Sequence, residues 1–394
     1  MSADDLDTAA ISASWSFPTN IRVGPGRLEE LPAICHEAGF SKPLLVTDPG
    51  VRDLPIMGDV VGALVNAGLE TDVFAEIQGN PTGTNVSTGV DAFRAGGHDS
   101  VIAFGGGSAL DAAKAVALMA GQSRPIWDFE DIGENWKRAE PDAIAPCVAI
   151  PTTAGTGSEV GRASVITNED SHRKMIIFHP RMLPMTVILD PEVTLGLPPA
   201  LTAATGMDAF SHCFEAWCAP GFHPMADGIA LQGLRLVVDA LPRAYTDGSD
   251  IEARMNMLAA AAMGSTAFQK GLGAVHAISH PVGAIHNTHH GLTNAIVLPY
   301  VMKFNRDAIA GRMKPVAQAL GLDDTSFDAV FEWILVLRER LGIPHTLAHL
   351  GVDTANADEI GRLGEMDPPA ASNPIPVKAA DLRGIFVNAV EGRL

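Results

Sequence analysis

Three consecutive glycines separate a strand pattern from a helix pattern in Ser100-Val-Ile-Ala-Phe104-Gly105-Gly106-Gly107-Ser108-Ala-Leu-Asp111-Ala-Ala-Lys114. The apolar run before them is typical of a buried parallel strand, and residues 109–120 indicate a strong Ala-rich helix. Glycines let the backbone approach a ligand, and the N–H groups that open the helix attract an anion such as pyrophosphate. Ser108 is expected to cap this helix and Asp111 to complete a capping box. A well-capped turn without a ligand is the plainer alternative; the third glycine favours a phosphate-binding turn.

The same alternation of short apolar runs and helical patterns fills the first half of the chain. Strands are predicted at residues 42–48, 70–75, 100–104, 147–150 and 186–189, and helices at 54–68, 91–95 and 109–120. Such alternation predicts βαβ units and a parallel sheet. We therefore expect an α/β N-terminal dinucleotide-binding domain with a Rossmann-like parallel sheet.

Beyond Pro198 the pattern becomes helical almost throughout. Long Ala, Met and Leu segments occur at residues 200–219, 224–246, 251–270 and 325–341. At 394 residues the chain is long enough for two domains. The predicted division is residues 1–194 for the NAD-binding α/β domain and residues 195–394 for an all-α C-terminal metal-binding domain.

Polar residues follow two further strands of the predicted sheet. One loop is Pro151-Thr152-Thr153-Ala-Gly155-Thr156-Gly157-Ser158-Glu159, and Asp48 ends an earlier strand. Open α/β sheets bind ligands at the carboxyl ends of their strands. An acidic residue at position 48 would bind a ribose 2′-OH and repel a 2′-phosphate, which favours NAD over NADP, although an Asp before Pro49-Gly50 is also an ordinary turn residue.

Histidines are concentrated in residues 276–290, which hold five of the thirteen in the chain. They are His276, His280, His286, His289 and His290. Neutral imidazole is a common ligand of Zn²⁺ and Fe²⁺. Upstream, Asp208 and His212 are four residues apart, so a helix presents both on one face. Although amphipathic packing also produces these spacings, the combination predicts a metal site, without deciding which histidines bind.

Composition excludes several classes of partner. The net charge of −19 opposes binding to nucleic acid or to an anionic membrane. No apolar run reaches 18 residues, and residues 1–7 are acidic, unlike a signal or transit peptide. The four cysteines indicate no disulfide framework. We expect a cytoplasmic protein whose partner is a small molecule.

These motifs together resemble the iron-containing (group III) alcohol dehydrogenases, which have a dehydroquinate-synthase-like fold. The resemblance covers about Phe17 to Asn373. Its specific motifs are Gly-Gly-Gly-Ser-x2-Asp-x2-Lys at 105–114, Pro-Thr-Thr-Ala-Gly-Thr-Gly-Ser-Glu at 151–159, Leu-Asp-Pro-Glu at 189–192, Gly-Met-Asp-Ala-x2-His at 206–212 and Val-His-x3-His-Pro-x-Gly at 275–283.

The resemblance implies a role for particular residues. The implied metal ligands are Asp208, His212, His276 and His290, whereas His280 would lie near the nicotinamide and is the candidate for relaying the proton. The implied cofactor contacts come from Asp48, Gly106, Gly107, Ser108, Asp111, Thr152, Thr153, Thr156 and Lys174. The implied cofactors are NAD and Fe²⁺, with Zn²⁺ equally acceptable to three histidines and one aspartate. A homodimer or higher homo-oligomer is expected.

The resulting prediction is a metal-dependent NAD(H)-linked alcohol dehydrogenase or aldehyde reductase. This chain departs from many relatives at Gly161, Arg162 and Pro369, and we hypothesise that Arg162 pairs with an anionic substrate such as an ω-hydroxyacid or its semialdehyde. The plainer role for Arg162 is a bond to a nearby carbonyl or Asp. Diol oxidation of the glycerol dehydrogenase type and maleylacetate reduction are alternatives, and a nucleotide- and metal-binding scaffold is the alternative without turnover.

Overall fold

The computed structural model describes residues 13–15 and 19–394; residues 1–7 and Phe17, discussed above, lie outside this range. The described chain packs as two compact units. One contains the described residues up to Thr153 together with Ser158–Gly196, and the other contains Ala154–Gly157 and Leu197–Leu394. The predicted division at 194/195 assigned Ala154–Gly157 to the first domain, whereas the packing groups these four residues with the second unit.

The first unit is built on a largely parallel sheet, as predicted. Its strands are β1 (Ala13–Trp15), β2 (Asn20–Val23), β3 (Pro43–Val46), β4 (Asp72–Phe74), β5 (Ser100–Gly105), β6 (Cys147–Pro151), β7 (Ala163–Asn168), β8 (Arg173–Phe178) and β9 (Thr186–Leu189). The sheet order is β1-β2-β9-β6-β5-β3-β4, in which β1 is antiparallel to β2 and every other neighbouring pair is parallel. Strands β7 and β8 form a separate antiparallel pair that the sequence did not predict.

Helices cover both faces of this sheet. They are α1 (Leu31–Glu37), α2 (Pro49–Arg52), α3 (Pro55–Asn66), α4 (Gly83–Gly96) and α5 (Gly107–Met119). Alternate residues of β5 point to opposite faces: Val101 and Ala103 join one buried cluster, and Ile102 and Phe104 join the other. Burial on both faces explains why the central strands are apolar at every position.

The second unit is helical, and Leu197–Leu394, all of which are described, contain no strand. Its helices are α6 (Pro199–Cys218), α7 (Pro224–Thr246), α8 (Ile251–Ala267), α9 (Ala274–His286), α10 (His290–Ile309), α11 (Met313–Ala319), α12 (Phe327–Arg340), α13 (Ala357–Met366) and α14 (Ala379–Glu391). Helix α6 is buried along most of its length and packs against α7, α8 and α10. No described helix is sufficiently long and apolar to cross a bilayer.

Candidate metal centre and cofactor loops

Four side chains of the second unit converge on one point. Asp208, His212, His276 and His290 each offer one ligand atom, and these four atoms all lie within 4.8 Å of one another. Asp208, His212 and His276 are at most 4 % exposed. The spacing of Asp208 and His212 on α6 brings Oδ1 of the first to 3.9 Å from Nε2 of the second. A buried carboxylate among three imidazoles is a set of acceptors that fits a divalent cation.

A close approach of two helices brings His290 to this cluster. His290 opens α10, and the next residue is Gly291, where a Cβ atom would lie 2.4 Å from the Ala204 carbonyl oxygen and 2.9 Å from Cβ of Asp208. Only glycine therefore lets the start of α10 rest on α6. As a result His290 Nε2 lies 3.6 Å from Asp208 Oδ1.

Asn294, one turn after His290, was not predicted to belong to the site. Its amide nitrogen lies 2.7 Å from Asp208 Oδ1 and 3.1 Å from Nε2 of both His276 and His290. An amide has two N–H groups, which is fewer than the three acceptors around it. The Asn294 amide thus cannot satisfy all three acceptors, which is a second indication that the cluster suits a cation.

The remaining histidines of the cluster lie outside the four-ligand group. His280 accompanies it by ring contacts, with its centroid 5.4 Å from that of His290, and its Nδ1 lies 3.0 Å from Oδ2 of Asp367. His286 is the last residue of α9, and the side chain of His289 accepts a bond from the Leu292 N–H at the start of α10. The i, i+4 pair of His276 and His280 thus contributes one member to the group.

Glu215 is a buried carboxylate that the sequence reasoning missed. It lies on α6, and its Oε2 is 2.5 Å from Nδ1 of His276. The available signal was its position: Asp208, His212 and Glu215 are related by i, i+4 and i+7 and share one helix face.

The predicted phosphate-binding turn lies in the first unit, between β5 and α5. Gly105 has φ +153°, and a Cβ atom there would lie 2.7 Å from Cβ of Ala109, so glycine is required. The N-cap of α5 is Gly106, without a side-chain cap bond. The prediction that Ser108 caps the helix is therefore wrong, because the helix begins two residues earlier than predicted, at Gly107.

Asp111 does not form a capping box either. Its Oδ1 accepts a bond from Ser158 Oγ at 2.5 Å, and its Oδ2 accepts one from the Val165 N–H at 3.0 Å. The buried Lys114 ammonium lies beside it and donates to the carbonyl oxygen of Ser158 at 2.8 Å. Burial lowers the pKa of Lys114. These two side chains tie α5 to the segment that follows β6, and a cofactor contact from Asp111 stays a prediction.

Three other predicted cofactor residues of the first unit lie around the same edge of the sheet, and a fourth lies on the separate β7–β8 pair. The Thr152 N–H bonds to the Gly105 carbonyl at 2.9 Å, and Thr153 is next to Gly106. Asp48 follows β3 and accepts a bond from the Val51 N–H at 3.0 Å, which caps α2. Lys174 lies on β8, opposite Thr167.

Thr156 and Arg162 are the two remaining predicted residues. Thr156 belongs to the four residues that pack with the second unit. There Gly157 has φ +63°, and a Cβ atom on it would lie 2.4 Å from the Ala261 carbonyl oxygen. The Arg162 guanidinium lies 5.6 Å from the centre of the Phe178 ring. Burial raises the pKa of Asp131, and the Arg162 cation opposes that increase.

Comparison with known proteins matches nearly the whole chain. The family model for iron-containing alcohol dehydrogenase matches residues 18–191, and the model for the C-terminal part of the Fe-containing alcohol dehydrogenase family matches residues 202–390. The chain is 39 % identical to 4-hydroxybutyrate dehydrogenase of Cupriavidus necator, over 93 % of this chain and 97 % of that protein.

Two further relatives agree with this. NAD-dependent methanol dehydrogenase of Bacillus methanolicus is 36 % identical over 96 % of this chain and 100 % of its own. The crystal structure of a 1,3-propanediol oxidoreductase superposes with a TM-score of 0.88, at 33 % identity, over 94 % of this chain and 97 % of that one. The resemblance that the motifs indicated is confirmed: the chain belongs to the iron-containing alcohol dehydrogenase family.

Proposed function

We propose that this chain is a metal-dependent, NAD(H)-linked alcohol dehydrogenase that also reduces aldehydes. The observation that carries the proposal is the buried group of Asp208, His212, His276 and His290, whose ligand atoms lie within 4.8 Å of one another. Its support is the family membership of the chain and the similarity to an NAD-dependent relative.

The four residues would hold one Fe²⁺ ion, and Zn²⁺ is the alternative that the same donor set accepts. When bound, such an ion acts as a Lewis acid on an alcohol or carbonyl oxygen. NAD supplies the hydride chemistry, so the tasks of the protein are binding, orientation and proton movement.

The cofactor is assigned to residues at the carboxyl edge of the sheet and to three others that the family motifs imply. The N–H groups that open α5 suit the pyrophosphate. The carboxylate of Asp48 suits the hydroxyl groups of a ribose. The proposed contacts are Asp48, Gly106, Gly107, Ser108, Asp111, Thr152, Thr153, Thr156 and Lys174.

His280 is proposed to exchange the alcohol proton with solvent. Its Nδ1 faces the Asp367 carboxylate, which when ionised accepts hydrogen bonds and donates none. Nδ1 therefore carries the hydrogen, and Nε2 is the nitrogen that takes up and releases a proton.

The first test is metal content by mass spectrometry on anaerobically purified protein, with NADH oxidation measured after the metal is stripped and Fe²⁺ or Zn²⁺ is added back. We expect about one ion per chain and activity restored by one of the two metals. His290→Ala should lose the ion. The matched control is His289→Asn at the exposed neighbouring position, where Asn keeps a capping acceptor and the ion should remain. A wild-type protein that holds the metal but shows no turnover would favour the scaffold, whereas a protein without metal and without metal-dependent turnover would refute the proposed metal site.

For the substrate we propose an ω-hydroxyacid or its semialdehyde, supported by the similarity to a 4-hydroxybutyrate dehydrogenase and by Arg162, whose guanidinium would pair with the distant carboxylate. Arg162→Leu should raise KM for succinic semialdehyde at least tenfold more than KM for butanal. Arg162→Lys keeps the positive charge and should retain most of the wild-type preference for the semialdehyde over butanal. Equal effects on both aldehydes would refute the role of Arg162. Including glycerol, 1,3-propanediol and maleylacetate in the panel tests the alternatives of diol oxidation and maleylacetate reduction.

We further propose that the protein is a homodimer or higher homo-oligomer in the cytoplasm. Light scattering coupled to size-exclusion chromatography measures the mass against 41.3 kDa per chain, and a mass of one chain would contradict the assembly.

A further inference from the structure

The inner side of His276 faces a carboxylate that is not one of the proposed ligands. We propose that Glu215 is a positioning residue that makes His276 a metal ligand, by holding its imidazole with the proton on Nδ1 and the lone pair on Nε2. The inference rests on the proposed metal site and assigns to it a residue beyond the four ligands.

The two nitrogens of His276 have different surroundings. Nδ1 lies 2.5 Å from Oε2 of Glu215. Nε2 faces the other candidate ligands, because it lies 3.1 Å from the Asn294 amide nitrogen, which is itself 2.7 Å from Asp208 Oδ1. A carboxylate accepts hydrogen bonds, so it favours the tautomer with Nδ1–H and the lone pair on Nε2, which is the tautomer that can bind a metal through Nε2.

The backbone around the start of α9 fixes the orientation of this carboxylate. Oε1 of Glu215 accepts a bond from the Val275 N–H at 2.9 Å. A Cβ atom at Gly273 would lie 2.8 Å from that oxygen, so the chain passes directly over it. Glu215 and His276 are 5 % and 1 % exposed. The backbone N–H of His276 is a further donor to this carboxylate, so its two oxygens have little freedom to exchange places.

With these contacts, a glutamine at position 215 should favour the tautomer of His276 that cannot bind a metal through Nε2. In Glu215→Gln the side-chain oxygen has to accept from Val275, because two N–H groups cannot face each other. The NH₂ group then points at Nδ1 of His276 and makes that nitrogen an acceptor. The proton moves to Nε2, which can no longer bind a metal in that state. The nearly isosteric substitution is thus predicted to be the harmful one.

Alanine at position 215 should lower the metal affinity less than glutamine does. Glu215 lines a narrow cavity of about 10 Å³ together with Gly273, Val275, Asn305 and Asn373. Removing the side chain enlarges it, so that a water molecule can accept the hydrogen of Nδ1. The expected order of metal affinity is wild type, then Glu215→Ala, then Glu215→Gln, with the glutamine variant weaker than wild type by about 10- to 100-fold.

The experiment is a Zn²⁺ titration of metal-free full-length protein in competition with a chromophoric chelator, with far-UV circular dichroism as the folding control. Asp367→Asn is the matched amide control: both carboxylate oxygens of Asp367 lie 3.0–3.1 Å from Nδ1 of His280, so the amide can present its oxygen, and Zn²⁺ affinity should stay within about threefold of wild type. The tautomer itself is read from ¹⁵N shifts of labelled histidine.

The outcomes separate this inference from the proposed function. Wild-type protein that binds neither Zn²⁺ nor Fe²⁺ would refute the metal site and the role of Glu215 with it. Wild-type binding together with a glutamine variant that binds as tightly as the alanine variant would refute Glu215 alone. Should Glu215→Gln not fold, the comparison passes to Glu215→Asp, which keeps two acceptors and must bind Zn²⁺ more tightly than Glu215→Ala; the reverse order overturns the proposal.

Discussion

Nδ1 of His280 lies 3.0 Å from Oδ2 of Asp367, and both side chains are buried. If His280 relays the proton, His280→Ala should lower kcat about 100-fold, within the usual range for a general acid or base, and leave one metal ion per chain. Asp367→Ala should lower kcat about tenfold with KM little changed, because the imidazole is present but free to turn or change tautomer. Steady-state kinetics with metal analysis measure both effects; loss of the ion in His280→Ala would instead place His280 among the ligands.

Asp48→Ser should shift coenzyme preference toward NADP. Asp48 caps α2 through the Val51 N–H, and serine keeps a capping acceptor while the negative charge is removed. We expect kcat/KM for NADPH to rise about tenfold and that for NADH to fall, since the carboxylate no longer binds the ribose diol or repels a 2′-phosphate. Asp59→Ser, at an exposed position of α3, removes the same charge and should leave the preference unchanged. Equal preference in wild type and Asp48→Ser would argue that Asp48 is only a helix cap.

Gly157→Ala should lower the free energy of unfolding by about 2–4 kcal/mol. The residue has φ +63°, and a new Cβ would lie 2.4 Å from both the Ala261 carbonyl oxygen and Cβ of Ser265, so backbone strain and overpacking add together. Gly228→Ala, inside α7 with no heavy atom within 4 Å of the new Cβ, should instead stabilise by about 0.5–1 kcal/mol. Urea unfolding followed by circular dichroism compares the two; matching midpoints would refute the packing argument.

Glu159 should make the free energy of unfolding fall as the pH rises from the acidic range to neutrality. Burial raises its pKa to about 7 from 4.5, and its Oε1 has no hydrogen-bond partner among the described residues. The folded state thus favours the protonated acid, and the stability linked to it is full below pH 4.5 and lost as pH rises through 7. Relative to Glu159→Gln, the wild type should lose on the order of 1–3 kcal/mol between pH 5 and pH 8. Parallel stability profiles for the two proteins would contradict this titration.

The main strands and long helices were predictable because burial leaves a periodic signal. Residues 100–104 are apolar throughout since both faces of β5 are covered, and the Ala-rich run after them became α5. The β7–β8 pair was missed because Ala163–Asn168 and Arg173–Phe178 are partly exposed, the first mixing uncharged polar with apolar residues and the second beginning with two charged residues. Its Asn168–His172 turn carries weaker signals than a two-residue Asn-Gly hairpin turn.

The candidate ligands were found through residue type, spacing and resemblance, but the groups that support them were not. Glu215 shares a helix face with Asp208 and His212, so the helical period contained that information. Asp367 is distant in sequence from His280, and only the packing of α13 against α9 brings the two chain regions together. Asn294 follows His290 by one turn and looks like an ordinary polar helix residue. Pairings of this kind depend on tertiary packing, which local sequence patterns do not specify.

Residues 154–157 belong to the second unit although residues 158–196 of the first unit follow them in the sequence. This order constrains how the gene can be recombined. A fragment that starts at Leu197 encodes every helix of the second unit and still lacks four of its residues, including the glycine that lies against Ala261 and Ser265. Exchange of one domain between relatives by a single crossover near residue 196 therefore joins a loop from one parent to helices from the other. Chimeras should tolerate such an exchange only where both parents keep a glycine at 157 and small residues at 261 and 265, so these distant positions are expected to be inherited as a set.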